Sequence, residues 1–181
     1  MENSLPEMKL HDVIEIVQLF DRHHIEFYVD GGWGVDALLE QQTRPHADLD
    51  IAIGHKDSTQ VRALLEARGY SDVQRADSSD FNFVLGDYQG HQIDIHTYTF
   101  DAAGNHVYGI AYPLESLART GSLDGHPVKC ISPEWVVKFH KAYQFDEDDY
   151  RDVKAICQHF NIKMPLEYEE FEHDRLQQGC S

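Results

Sequence analysis

Basic residues are scarce in this chain. Lysine and arginine number 15 in 181 residues against 32 aspartates and glutamates, a formal net charge of −17 at neutral pH. A nucleic-acid binder needs a cationic face for the phosphates, and so does a protein held on an anionic membrane, so the balance argues against both partners. It favours cationic small molecules, metal ions and metal-chelated anions. Cysteine is sparse too. Cys130, Cys157 and Cys180 form no C-x-x-C pair and are odd in number, so they read neither as a disulfide framework nor as a thiolate zinc site. That usage suits a reducing, cytoplasmic location. No apolar run approaches the length of a membrane span, residues 1–8 lack the basic and apolar regions of an export signal, and nothing repeats. What is there is a globular composition, 41% hydrophobic and 26% charged, long enough for one domain with a small appendage.

The pattern along the chain is mixed α/β (α+β). Leu10, Val13, Ile14, Val17 and Phe20 recur at helical spacing and predict a helix over 9–24. Residues 25–30 read as a strand that breaks at Gly31-Gly32-Trp33-Gly34, with a second helix starting near Val35. Residues 48–53 alternate with period two, Val61, Leu64 and Leu65 mark a helix ended by Gly69, and residues 81–85 and 91–96 form a hairpin. Residues 128–131 return as a strand. Ser132-Pro133-Glu134 opens a helix whose buried stripe is expected to be Trp135, Val136, Phe139 and Tyr143. Another helix is expected over 146–160, then a loose acidic tail after Pro165. The expected organisation is a mixed-sheet domain over 1–112 with a smaller, mainly helical part over 113–181 packed on it.

The chemistry concentrates in residues 28–50. A strand running into Gly31-Gly32 and then a helix is a phosphate-binding shape, because backbone without Cβ atoms lets an anion approach the free N–H groups of a helix start. Asp48 and Asp50 stand two apart on a strand, so both carboxylates project from one face while Leu49, Ile51 and Ile53 project from the other. Two adjacent carboxylates repel each other. A divalent cation reverses the sign of that term, and Mg²⁺, which bridges one or two carboxylates to substrate phosphates, fits. Chance alone gives about six acid-x-acid pairs in a chain this acidic, so the pair gains weight only from its company. That company is the glycine turn before it and Asp94, flanked by Ile93 and Ile95 on a strand able to lie alongside. A rival reading takes Gly32-x-Gly34-x-x-Ala37 as a dinucleotide fingerprint. Hairpins in place of repeated βαβ units argue against it.

The stretches Asp30-Gly-Gly-Trp-Gly-Val-Asp-Ala-Leu-Leu39 and Thr43-Arg-Pro-His-Ala-Asp-Leu-Asp50, with the later Asp94, resemble the small antibiotic nucleotidyltransferases of the polymerase-β-like superfamily. Two types are similar, the lincosamide nucleotidyltransferases and the aminoglycoside 2″-adenylyltransferases. Gly125-His-Pro-Val-Lys-Cys-Ile-Ser132, Phe139-His-Lys-Ala-Tyr143 and Asp149-Tyr-Arg-Asp152 bring the chain nearer the first. The resemblance covers roughly residues 10–163. It implies a nucleotidyltransferase palm and Mg²⁺-dependent transfer of AMP from ATP to a hydroxyl of a cationic antibiotic, with release of pyrophosphate. It implies a triphosphate over Gly31 and Gly32 and metal on Asp48 and Asp50. Asp94 is then either a third ligand or the group that takes the hydroxyl proton, and His96, on the same strand face, is an alternative acceptor near the substrate. Arg44 is expected on the triphosphate and Trp33 either against adenine or in the core. His140 is expected either at the substrate or as a packing histidine, and His46 either as a loop brace or a substrate contact. Asp36 is expected to brace the site or favour its helix. Seven further histidines (11, 23, 55, 106, 126, 159 and 173) read as surface residues. A homodimer that completes the site is compatible with this reading, as is an aminoglycoside acceptor. A nucleotide-binding module without catalysis is the rival from another class.

Overall fold

The structure is a computed structural model, and it describes residues 6–140 and 145–178. It divides into two compact units, residues 1–132 and 133–181. The division falls twenty residues later than the sequence suggested, because two strands in the segment assigned to the helical part join the sheet of the first unit.

The first unit is built on one mixed eight-stranded sheet. In chain order its elements are α1 (Leu10–Arg22), β1 (Phe27–Val29), α2 (Gly31–Leu39), β2 (Asp48–Gly54), α3 (Ser58–Glu66), β3 (Ser71–Val73), β4 (Asn82–Gly86), β5 (Gln92–Phe100), β6 (His106–Gly109), β7 (Arg119–Leu123) and β8 (His126–Cys130), with short 3-10 turns at His55–Asp57 and Leu114–Ser116. The spatial order is β3-β4-β5-β2-β1-β8-β7, and β6 pairs with β5. β2 runs antiparallel to β1 and parallel to β5, and β1 runs parallel to β8. This mixture excludes the all-parallel doubly wound sheet that a dinucleotide fingerprint requires.

Local sequence explains the elements that matter. In α1, Val13, Ile16, Val17 and Phe20 are buried at helical spacing. In β2 the period-two pattern resolves as expected: Leu49, Ile51 and Ile53 are fully buried, while Asp48 and Asp50 are half-buried on the other face. α2 begins earlier than its sequence suggested. Asp30, extended at φ −120°, caps it by accepting the Gly31 N–H, and its carbonyl accepts the Gly34 N–H at 2.9 Å. Gly31 at φ +56° turns the strand directly into the helix, so the two glycines form the helix's first turn and no separate loop. Strand β7 carried little apolar periodicity (Arg-Thr-Gly-Ser-Leu), which is why it was missed. Its Gly121 lies against the backbone of α2, where a Cβ would meet the Ala37 carbonyl oxygen at 2.3 Å.

The second unit holds α4 (Pro133–Phe139), α5 (Glu147–Phe160) and α6 (Leu166–Gln178). Asp146 caps α5 by accepting the N–H groups of Asp148 and Asp149. Val136 and Val137 are buried on α4, whereas Trp135 and Phe139 are half-buried with rings 5.6 Å apart. Tyr143, expected to continue that stripe, lies outside the described residues, as does Cys180. The tail after Pro165, expected to be loose, is helical over Leu166–Gln178. Tyr168 is fully buried, stacks on Phe145 at 4.0 Å and donates its hydroxyl hydrogen to the His140 carbonyl. Its one aromatic pair, Tyr168 and Phe171 at i,i+3, is too short a signal to stand out among the glutamates.

Candidate active site

Strand register assembles the site. In the parallel β2–β5 pair Asp50 lies opposite Asp94, and Asp48 opposite Gln92. All three aspartates therefore share one face of the sheet, because side chains alternate in step along paired strands. On the far side of β2, Asp30 at the end of β1 donates its N–H to the Asp50 carbonyl. Four carboxylates thus converge. Burial pushes the Asp50 carboxyl well above the ordinary carboxylate range, and the neighbouring charges of Asp48, Asp30 and Asp94 push it further. Asp94 is also raised, chiefly by burial, although His96 and Arg75 pull it back.

The Asp94 carboxylate has two unlike oxygens. Oδ2 accepts from Arg75 Nη1 at 2.9 Å, while the other Arg75 nitrogen bonds Gln92 at 2.8 Å. Oδ1 is buried and accepts no hydrogen bond among the described residues. His96 Nε2 stands 3.4 Å from it. Crowded carboxylates, a raised Asp50 and an unpartnered Asp94 oxygen fit a hard divalent cation with oxygen ligands. Among the described residues no three His, Cys, Asp or Glu side chains are grouped so that they could hold a metal ion by themselves. Such a cation does not require it, since substrate phosphates and water supply the rest of its shell.

The glycine turn forms the adjoining wall. A Cβ on Gly31 would stand 2.1 Å from Asp50 Oδ2, and one on Gly32 would meet the His46 ring at 2.3 Å and Arg44 Nη2 at 2.9 Å. Arg44 therefore reaches the first turn of α2, close to the aspartates. A buried brace holds it there. Asp36, fully buried, accepts the N–H and hydroxyl hydrogens of Thr43 on Oδ1, and its Oδ2 meets His46 Nε2 at 2.5 Å. Leaving a buried polar group without its hydrogen-bond partner typically costs about 1–3 kcal/mol. His46→Ala should lose stability on that scale in urea unfolding and also raise KM for the nucleotide, because the loop carrying Arg44 is released.

Several sequence expectations land elsewhere. Trp33 is 1% exposed and tilted against His46, so its ring closes the core beneath the turn and offers no face to adenine. His46 is a loop brace. His140 sits within the helical unit, its Nδ1 on the Val136 carbonyl at 2.8 Å and its Nε2 3.6 Å from Asp149. His11, His23, His106, His159 and His173 are exposed, whereas His126 is half-buried and so is His55, with Nδ1 on Thr97 Oγ1 at 2.8 Å. Asp30, Arg75 and Tyr112 were missed as site residues. Asp30 opens the glycine-containing stretch, but its place at a strand end gives no sign of a site role. Arg75 lies in a polar stretch without periodicity. Tyr112 reaches the site only through the tertiary fold, where its hydroxyl donates to Asp30 Oδ2 at 2.9 Å.

Comparison with known proteins identifies the family. The family model for aminoglycoside-2″-adenylyltransferase matches residues 12–156. A lincosamide resistance protein of Staphylococcus haemolyticus is 30% identical over 160 residues, spanning 85% of this chain and 96% of its own. A 2″-aminoglycoside nucleotidyltransferase of Escherichia coli is 25% identical over 126 residues, spanning 68% and 67%. Among solved structures, the lincomycin-bound lincosamide adenylyltransferase LnuA superposes with a TM-score of 0.74 at 24% identity, covering 87% of this chain and all of LnuA. ANT(2″)-Ia in complex with adenylyl-2″-tobramycin gives 0.70 at 19% identity, covering 95% and 98%. The structural likeness establishes the fold, and no described helix is long and apolar enough to cross a membrane. With the three aspartates on one sheet face beside the glycine turn, and the family model spanning most of the sequence, the chain belongs to the aminoglycoside-2″-adenylyltransferase family and is a nucleotidyltransferase.

Proposed function

We propose that this enzyme transfers AMP from ATP to a hydroxyl of a lincosamide antibiotic, with Mg²⁺ held by Asp48 and Asp50. The register that sets Asp94 opposite Asp50 carries the reading. Bound there, Mg²⁺ would neutralise charge on the α-phosphate and on the departing pyrophosphate. The chain's own groups do the positioning. Gly31 N–H is already engaged by Asp30, which leaves the Gly32 and Trp33 N–H groups of the first turn of α2 for a phosphate oxygen. Arg44 flanks that turn and adds a cation. The acceptor's hydroxyl oxygen forms a bond to the α-phosphorus. The bond from that phosphorus to the bridging oxygen breaks, pyrophosphate leaves with the electron pair, and the hydroxyl proton passes to Asp94 or to His96 beside it. The surplus of acids draws a protonated amine on the drug toward the site.

The extent of similarity to the S. haemolyticus protein favours a lincosamide, and the family model keeps an aminoglycoside as the second reading. Mass spectrometry of a lincosamide and of an aminoglycoside, each incubated with enzyme, ATP and Mg²⁺, tests the choice. The lincosamide is expected to gain one AMP, and pyrophosphate should appear in equal amount. Binding of nucleotide with no product from either drug would mark a silent module. Asp94→Asn should lower kcat about 10²-fold or more. A base works deprotonated, so the wild-type rate should fall as pH drops through the raised Asp94 value, while the asparagine variant stays slow and flat there. Survival of that acid limb in the variant would give the proton to His96.

A further inference from the structure

A cation already holds one oxygen of Asp94, and the other is out of reach. Oδ1 is closed off from solvent, so anything approaching the carboxylate as it stands is left with Oδ2. Arg75 Nη1 lies on that oxygen at 2.9 Å, and Nη2 of the same guanidinium lies on Gln92 Oε1 at 2.8 Å. Residues 92 and 94 stand two apart on β5 and face the same way. The planar fork of an arginine can bond both, where a lysine offers a single point of charge. Register puts Gln92 opposite Asp48 and Asp94 opposite Asp50, so the fork sits one strand away from the carboxylates proposed to hold Mg²⁺. Its charge pulls Asp94 and Asp50 down, against the burial that raises both. A guanidinium does not give up its proton in a protein, so this cation persists at any working pH. The backbone of Arg75 is tied in a turn, its N–H on Ser78 Oγ at 2.9 Å and its carbonyl accepting the Ser78 N–H at 3.2 Å. Residues 74–77 are exposed, so the side chain can swing off Asp94 without opening the core.

We propose that Arg75 is the resident counter-ion of the aspartate cluster: its guanidinium holds Asp94 Oδ2 in the nucleotide-free enzyme and opposes the binding of a free divalent cation beside it. The inference rests on the metal-site reading above and adds to it a residue that sets how readily the site fills. Two cations contend for one carboxylate. Removing a unit positive charge about 6 Å from a dipositive ion in watery surroundings strengthens the ion's binding about tenfold. The four converging carboxylates thus keep part of their charge compensated by the chain itself. A nucleotide changes the balance, because its triphosphate brings several negative charges. It also gives a displaced guanidinium an anion that it can bond through two nitrogens. A cation chelated by the triphosphate is therefore opposed less by Arg75 than a cation arriving alone.

The test needs no turnover. Mn²⁺ is titrated into the whole protein without nucleotide, and binding is read from the loss of the free-ion EPR signal. Arg75→Gln keeps a hydrogen-bonding side chain without the charge, and it should bind Mn²⁺ about tenfold more tightly than wild type. Arg75→Lys keeps the charge and loses the fork, and it should stay within about threefold of wild type. An affinity in Arg75→Gln no greater than in wild type overturns the proposal, undetectable binding in both included. So does an Arg75→Lys variant that matches Arg75→Gln, since charge would then not be the cause. Adding Asp50→Asn to Arg75→Gln separates this inference from the reading beneath it. The double variant should lose the tightened binding. If it binds as Arg75→Gln does, the ion is not on the aspartates, and the metal-site reading falls together with the proposal. If Asp50→Asn weakens binding while Arg75→Gln merely equals wild type, the metal site stands and the role given to Arg75 fails.

Discussion

Asp50→Asn is expected to abolish transfer and yet yield a protein that melts above the wild type when metal is absent. The two effects have one origin. In the free enzyme Asp50 is crowded by Asp48, Asp30 and Asp94 and raised by burial, so its ionised form is disfavoured in the fold. A carboxyl raised in the native state binds more protons folded than unfolded. Stability therefore falls as pH rises from the ordinary carboxylate value through the raised one. Asparagine carries no such penalty. The gain in melting temperature should be present at pH 7 and vanish as pH falls toward the ordinary carboxylate value, where wild-type Asp50 is protonated as well. At this chain length each kcal/mol relieved is worth about 2–4 °C. Turnover should drop on the order of 10³-fold, since losing a carboxylate of the proposed metal site forfeits several kcal/mol of transition-state charge stabilisation. Asp48→Asn should show the same loss of turnover. Calorimetry across pH, with and without Mg²⁺, checks the pattern. Near-normal turnover in either variant would remove the metal-bridged mechanism.

Gly31→Ala is the second large effect, and it acts by displacement. Its Cβ would stand 2.1 Å from Asp50 Oδ2, a distance no packing tolerates, so the carboxylate or the helix must move. The positive φ of +56° adds a backbone cost of about 1–2 kcal/mol. A shift of about 1 Å in a catalytic group can cost on the order of 10²-fold in rate. Gly69→Ala supplies the control. That glycine also has positive φ, +89°, but nothing lies within 4 Å of its added Cβ. It should lose similar stability by urea unfolding and keep its turnover. Equal rate losses in the two variants would show that backbone strain alone accounts for the effect.

The sequence made the site's inner circle legible and hid its supports, for a physical reason. Asp48, Asp50 and Asp94 alternate with isoleucines and leucines, and period two reports a strand's faces without knowledge of the fold. The glycines before them announce a close approach. Arg75 and Tyr112 carry no such signature, because each reaches the aspartates through contacts set by sheet order, in which β5 lies next to β2 across a long excursion of chain. Trp33 left two readings open. A large aromatic beside a glycine turn can face solvent or core, and only the buried Asp36–His46 pair beneath it shows that this one closes the interior. The helical tail was obscured by its glutamates, which mask a single aromatic pair.

Parallel pairing of β2 with β5 also has a kinetic consequence. Antiparallel neighbours can zip up from a tight turn, but parallel ones need a crossover, and here the whole of residues 55–91 lies between the two strands. Asp94 therefore meets its partners only after a long stretch of chain has been ordered, a contact of high sequence separation of the kind that slows folding. On refolding from urea, helical signal and the local β4–β5 hairpin should return first, and the capacity to turn over substrate should lag behind them.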